Sequence, residues 1–180
     1  MNEKKIISKF INPKWIPVVI LLIVPVVNFF ALIFFLTTTL PALLRGNKKM
    51  KELEAQGVLA AAAAELEASG AKKLIKGKII FTDNYIFCKG TGFVFSYNEI
   101  LWAYKHRQTT TFLFIPISVT DSLYLATKKM APRLVAAKGK DKNEEIKNAI
   151  LEIYNHNNNC LVGYTNETCA KYKELKKAKN

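Results

Sequence analysis

Histidine, the residue type that most often serves as a general base or metal ligand, is scarce in this sequence. The chain has two histidines, His106 and His156, and neither has a second metal-ligating side chain at ligand spacing. The sequence also contains no H-E-x-x-H, G-x-S-x-G or phosphate-binding loop motif. We therefore expect a protein that is not an enzyme and that binds neither a metal nor a cofactor.

Cysteine is also rare, and its pattern excludes a disulfide framework. The three residues, Cys88, Cys160 and Cys169, are odd in number and show no C-x-x-C spacing. Free cysteines that pack as small apolar side chains are typical of a reducing compartment. This pattern favours a cytoplasmic location for the part of the chain that contains them.

Acidic residues are too few to balance the basic ones. The sequence has 27 Lys and Arg residues against 14 Asp and Glu residues, which gives a net charge of +13 at pH 7. Such an excess predicts an anionic partner, which is either the headgroup layer of a membrane or a nucleic acid. We place the membrane first because of the apolar stretch near the N-terminus.

That stretch, residues 15–44, has no ionisable side chain. Because about 20 apolar residues are enough for a helix to cross a hydrocarbon core, it predicts one uncleaved transmembrane helix, kinked or tilted at Pro25. A re-entrant loop is the alternative. Basic residues flank both ends, in 1–14 and from Arg45 onward, so the positive-inside rule leaves the orientation open. We predict a single-pass protein of the cell membrane with its C-terminal domain in the cytoplasm.

Residues 45–70 are rich in Ala, Glu, Lys and Leu, the best helix formers. They predict a juxtamembrane helix with Leu59, Ala62, Ala63 and Leu66 on one face and a weak point at Gly57. The helix is either a spacer that packs against the following domain or a connector between chains.

From Lys76 onward the sequence pattern changes from helical to strand-like. Short runs of β-branched and aromatic residues predict about seven strands, at 78–81, 85–88, 93–97, 100–106, 112–119, 123–127 and 133–137. The connections are too short for crossovers, so the strands should be antiparallel. A polar turn at 107–111 is expected between the fourth and fifth strands.

A helix is predicted after the strands, beginning with a capping box formed by Asp141 and Glu144. Its apolar residues recur at helical spacing, as in a helix laid against a sheet. These residues are Ile146, Ala149, Ile150 and Ile153.

Residues 158–180 are predicted to form a last helix and a basic tail. Thr165 is placed to cap this helix. Cys169, Tyr172 and Leu175 should point inward from it.

The run FTDNYIFCKGTGFVFSYNEILWAY contains a T-x-x-Y turn, a glycine hairpin and a Y-x-x-I-x-W step formed by Tyr97, Ile100 and Trp102. It resembles the opening of the pleckstrin-homology-like (PH-like) domains of bacterial membrane proteins. The resemblance implies an α+β fold: an N-terminal transmembrane helix, then a PH-like antiparallel β-barrel or sandwich of about seven strands over 71–157, capped by a C-terminal helix. The family offers no established activity.

Basic side chains are the candidate contacts to lipid headgroups, since each one near an anionic leaflet contributes about 1 kcal/mol of attraction. Three follow the apolar stretch and three surround the last predicted hairpin. These residues are Lys48, Lys49, Lys51, Lys128, Lys129 and Arg133.

The leading hypothesis is a membrane-anchored, non-catalytic PH-like module that binds a partner protein or the adjacent anionic leaflet. The alternative is a membrane-tethered basic domain that binds nucleic acid through Trp102, Tyr104, Lys105 and Arg107. Aromatic side chains on strands are normally core residues, however, so we expect Trp102 to be buried.

Overall fold

The computed structural model describes residues 3–12, 32–68, 70–139 and 143–177. Over these ranges the chain is α+β, as predicted, with two four-stranded sheets and five α-helices. The elements in chain order are α1 (Glu3–Ile11), a π-helical turn (Phe35–Thr39), α2 (Leu40–Ala55), α3 (Leu59–Glu67), β1 (Lys72–Leu74), β2 (Ile79–Phe81), β3 (Tyr85–Cys88), β4 (Phe93–Ser96), a 3-10 turn (Tyr97–Glu99), β5 (Ile100–Phe112), β6 (Ile115–Thr127), β7 (Arg133–Gly139), α4 (Asn143–His156), β8 (Leu161–Val162) and α5 (Asn166–Lys177).

The described residues form two compact units. The first contains the chain up to Ala71 together with Phe87–Val94, and the second contains Lys72–Ile86 and the chain from Phe95 onward. The boundary therefore passes through β3 and β4.

The first unit is a cluster of helices in which α1 contacts both α2 and α3. Ile7 of α1 and Leu53 of α2 are fully buried. Of the predicted apolar face of the Ala-rich segment, Leu59, Ala62 and Ala63 are buried and Leu66 is half-buried. Small side chains on α3 let neighbouring helices approach closely, which is why so alanine-rich a helix can belong to a core.

The Ala-rich segment forms two helices where one was predicted. Helix α2 ends at Ala55, and Gly57 follows with a φ of +71°. Glycine adopts this left-handed conformation without steric cost, so it ends one helix and redirects the chain into the next.

The predicted transmembrane helix is wrong for the described chain. Its residues 15–31, with Pro25, lie outside the described residues. Residues 32–44 are helical, and the helix continues directly into the charged part of α2. No helix in the described ranges is long and apolar enough to cross a membrane. The single-pass topology and the cell-membrane location were predicted from this span, so these two predictions are wrong as well.

The β3–β4 connection is the glycine turn that the sequence predicts, and Gly92 fits it for two reasons. Its φ is +71°, and a Cβ at this position would clash with the carbonyl oxygen of Ala42 in α2. Beside it, Arg45 donates from Nε and Nη2 to the carbonyl oxygen of Thr91 at 3.3 and 3.1 Å. The turn therefore packs directly on α2 within the first unit.

In the first sheet the strand order is β1-β2-β3-β4, and in the second it is β7-β6-β5-β8. The pairs β1–β2, β5–β6 and β6–β7 are antiparallel, as predicted. Strand β8 is parallel to β5, which requires a crossover connection, and α4 lies in that connection. The described strands thus form two separate four-stranded sheets and no closed barrel, so the predicted PH-like barrel of about seven strands is wrong.

The second sheet is built on one long hairpin. Strands β5 and β6 are each 13 residues long and are joined by the two residues Leu113 and Phe114. The predicted turn at 107–111 is wrong, because that segment lies within β5. Threonine is β-branched and favours strands, so its polar hydroxyl was a misleading turn signal.

Helix α4 has the predicted buried face, formed by Ile146, Ala149, Ile150 and Ile153. Its predicted cap residue Asp141 lies outside the described residues. Ahead of α5, the Thr165 hydroxyl accepts a hydrogen bond from the Thr168 amide at 3.1 Å.

Helix α5 follows the predicted inward pattern only in part. Tyr172 is buried and Cys169 is half-buried, but Leu175 is exposed. The inward orientation predicted for Leu175 is wrong.

Candidate functional site

A groove of about 680 Å³ lies in the second unit, along α4 and the segment after it. One side is the outer face of α4, and the other is the chain from Val162 to Tyr164; Lys105 of β5 also contributes. The lining residues are Lys105, Lys147, Ile150, Leu151, Tyr154, Val162, Gly163 and Tyr164. Five of these side chains are large and apolar or aromatic, and the two ionisable amines are both lysines.

The apolar lining is accessible to a ligand. Leu151, Tyr154, Val162 and Tyr164 expose 56%, 44%, 41% and 62% of their surfaces. Single exposed apolar side chains are ordinary, but several lining one concave site are typical of binding surfaces.

The α4 side of the groove is apolar because the helix carries large apolar side chains on a second face, next to the buried one. Residues at 146, 149 and 153 point into the core, whereas Lys147, Leu151 and Tyr154 recur at i, i+4 and i+7 on the adjacent face. The second face is apolar enough to bind but is not covered by another described element.

The opposite side of the groove is fixed by backbone hydrogen bonds. Gly163 donates its N–H to the carbonyl oxygen of Ala103 at 3.1 Å. The Gly163 carbonyl oxygen accepts from Trp102 Nε1 at 2.7 Å and from the Thr168 hydroxyl at 3.1 Å. Three partners on β5 and α5 thus hold one glycine in place.

The end of α4 is held to β5 by a single amide side chain. Asn157 Nδ2 donates to the carbonyl oxygens of Tyr97 and Ile100 at 2.7 and 2.9 Å. On the same helix, Glu152 pairs with Lys72 of β1 at 2.5 Å. The groove is therefore a preformed feature of the fold.

An aromatic cluster lies beneath the Tyr164 side of the groove. The ring centroid of Trp102 is 4.3 Å from that of Tyr104, 5.5 Å from that of Tyr164 and 5.1 Å from that of Tyr172. Tyr104 also lies 5.3 Å from Tyr124. Burial, followed by the neighbouring phenols, raises the pKa of Tyr104 to about 12. The cluster packs against Tyr164 and supports this side of the groove.

The residues of the nucleic-acid hypothesis do not form an accessible platform. Trp102 is buried, as predicted, and so is Tyr104. Arg107 donates from Nε and Nη2 to the two carboxylate oxygens of Asp121 at 2.8 and 3.0 Å. Lys105 belongs to the groove lining. Stacking of bases on exposed aromatic rings, which single-strand binding uses, has no support at these positions.

The six predicted lipid contacts lie in two groups, one in each unit. Lys48 and Lys51 are exposed on α2, and Lys49 lies 3.9 Å from Glu52 there. Lys128 and Lys129 are exposed in the β6–β7 connection, and Arg133 is exposed at the start of β7. Two residues of the second group, Lys128 and Lys129, lie in a turn in which the Thr127 N–H donates to the Met130 carbonyl oxygen at 3.0 Å. The groove residues were not among the six.

The cysteines do not form a reactive or metal-binding site. All three are free, and burial raises the pKa of the Cys88 and Cys160 thiols, in the latter case to about 12. Cys88 and Cys160 are therefore packing residues. In the described ranges, no three His, Cys, Asp or Glu side chains are grouped so that they could hold a metal ion.

No protein-family model, curated protein or solved structure matches this chain. The case for its function therefore rests on the geometry of the second unit.

Proposed function

We propose that this protein is a non-catalytic binding module that takes an acidic, apolar segment of a partner protein into the α4 groove. The observation that carries this proposal is the composition of the groove: large apolar and aromatic side chains, with two lysines as its charged groups.

The apolar side chains provide the affinity. Covering Leu151, Tyr154, Val162 and Tyr164 removes apolar surface from water at about 25 cal/mol per Å². Aromatic residues such as Tyr154 and Tyr164 contribute a large contact area with few rotatable bonds, so little side-chain entropy is lost on binding.

The lysines provide the selectivity. Lys105 and Lys147 come from different elements, β5 and α4, and both line the groove. A segment with carboxylates near its apolar residues would place negative charge beside these amines. Basic segments would be disfavoured further by the net charge of +13.

The test begins with selection of a phage-displayed random peptide library on the full chain. We expect enriched peptides to combine Asp or Glu with Leu, Phe or Trp. An enriched peptide is then labelled and titrated by fluorescence anisotropy against the wild type, Leu151→Ser and Lys147→Glu. Both variants should bind at least about tenfold more weakly, a change of about 1.4 kcal/mol.

Leu175→Ser is the matched control for Leu151→Ser, because it removes an exposed leucine from α5, outside the groove. It should bind as the wild type does. Equal weakening by both serine variants would contradict the proposal, as would the enrichment of basic peptides. Tighter binding to an oligonucleotide or to anionic vesicles, unaffected by Leu151→Ser, would also overturn it.

A further inference from the structure

The outer part of the β5–β6 hairpin, residues 108–119, is a two-stranded arm. Strand β7 pairs with β6 only at Thr120–Leu125, and β8 pairs with β5 only at Trp102 and Ala103. Among the described residues, no third strand pairs with the arm. Each of its long edges therefore presents a row of backbone N–H and C=O groups to solvent.

The two edges of the arm differ. The β6 edge carries Pro116, which has no N–H to donate, and the β5–β6 register shifts between Thr110 and Thr111. Proline and irregular pairing are features that block the addition of a strand. The β5 edge over 108–111 has the sequence QTTT, with no proline, glycine or charge. It is therefore the edge that is open to pairing.

The tip of the arm displays apolar side chains in an unusual backbone conformation. Leu113 and Phe114 have φ angles of +47° and +67°, where Asn and Gly are the usual residues of a two-residue hairpin turn. Their side chains are 74% and 99% exposed. Leucine and phenylalanine disfavour this backbone conformation, and their exposure lowers solubility. Their exposed position at the tip therefore indicates a surface that contacts another molecule.

We propose that the β5 edge of the arm pairs antiparallel with the same edge of a second copy of this chain, about a two-fold axis at Thr110. The absence of charge in the arm favours a second copy as the occupant. Two chains of charge +13 repel each other, yet residues 108–120 contain no charged side chain. Pairing here brings no like charges opposite one another.

The sequence of the edge suits this symmetric pairing. An axis at Thr110 sets Thr109 of one copy opposite Thr111 of the other, and cross-strand threonine pairs are favourable. The same register brings Leu113 and Phe114 of each copy alongside Arg107 and His106 of the other. The exposed tip is thereby partly covered, and the interface is isologous and closed.

Sedimentation equilibrium on the full chain, over about a hundredfold range of concentration, tests the proposal. We expect a monomer–dimer equilibrium. Thr110→Lys would place two lysines face to face at the axis and should raise the dimer Kd at least about tenfold, with partial recovery at high salt.

Ser118→Lys is the matched control, because Ser118 is the direct cross-strand partner of Thr110 on β6. It adds the same charge at the same level of the arm but on the other edge, and should leave the Kd within about twofold. Circular dichroism confirms that both variants fold. A wild type that stays monomeric throughout, or equal weakening by both variants, would overturn the proposal.

A second measurement does not depend on affinity. Thr110→Cys should form an interchain disulfide under mild oxidation with oxygen and a copper catalyst, because the two positions adjoin across the axis. Ser118→Cys should crosslink no more than the wild type, which already contains Cys169 as a half-buried thiol. Equal crosslinking through both positions would contradict pairing at the β5 edge. Binding to lipid vesicles that Leu113→Ser abolishes, while the chain remains monomeric, would assign the arm to a lipid surface instead.

Discussion

The two halves of the β5–β6 hairpin have opposite characters. At its base, Trp102, Tyr104, Leu123 and Leu125 are buried in the core of the second unit. In the arm, Leu113, Phe114 and Ile117 are exposed, although they are just as apolar. The ion pair between Arg107 and Asp121 marks the level at which one half gives way to the other.

Residues at the base of the hairpin stabilise the fold, whereas those in the arm are available for contact with another molecule. Apolar side chains at the base remove surface from water within the chain itself, whereas those of the arm would do so only against another molecule. Substitutions in the two halves should therefore differ in their effect on stability.

The largest effect is expected at the centre of the base. Trp102→Ala removes a buried ring and the Nε1 hydrogen bond to Gly163, and should lower the free energy of unfolding by about 3–5 kcal/mol. Phe114→Ala, at the tip, should change it by less than about 0.5 kcal/mol. Urea denaturation of both variants measures the difference. Similar losses would show that the tip is also part of a core.

The buried elements were largely predictable from sequence, because runs of β-branched and aromatic residues indicate strands. The strand at 85–88, the strand predicted at 93–97 and found at Phe93–Ser96, the glycine turn between them and the buried position of Trp102 all follow from local composition. The inner face of α4 was equally clear, since four apolar residues at helical spacing leave one orientation that covers a sheet.

The arm and the groove were not predictable in the same way. Thr109, Thr110 and Thr111 looked like a turn because of their hydroxyls, and Leu113-Phe114 carries no turn signal at all. The groove combines residues from 105, 147–154 and 162–164, which only the crossover through α4 brings together. The closest local signal was the spacing of Lys147, Leu151 and Tyr154 on a second helical face.

The second effect concerns the ion pair at the junction. Its hydrogen bonds from Arg107 hold the pKa of Asp121 below its ordinary value, which is near 4. A carboxyl with a lowered folded pKa stabilises the fold fully above its ordinary pKa, and this contribution is lost as the pH falls through the folded pKa.

Asp121→Asn should thus be less stable than the wild type at pH 7, by less than Trp102→Ala. The difference between wild type and Asp121→Asn should stay constant at neutral pH and shrink below about pH 4. Urea denaturation at a series of pH values measures it. A difference that grows in acid would contradict the assigned role of Asp121.

The third expected effect is an increase in the free energy of unfolding. Left-handed backbone costs an L-residue roughly 1–2 kcal/mol, and Asn-Gly adopts this turn readily. Leu113→Asn with Phe114→Gly should therefore raise the free energy of unfolding by about 1–2 kcal/mol. Thermal and urea denaturation at one fixed protein concentration test this, because self-association would otherwise change the apparent stability. A loss of stability would mean that the native side chains stabilise the arm from within.

The smallest effect is expected at Ile117, the apolar residue of the arm nearest its register shift. It lies on the same strand as Leu123 but is 62% exposed, whereas Leu123 is fully buried. Ile117→Thr should change the free energy of unfolding by less than about 0.5 kcal/mol, and Leu123→Ala should cost about 2–5 kcal/mol. If Ile117→Thr were as costly, the division at Arg107 and Asp121 would not separate core from contact surface, and the strained tip would need a structural explanation instead.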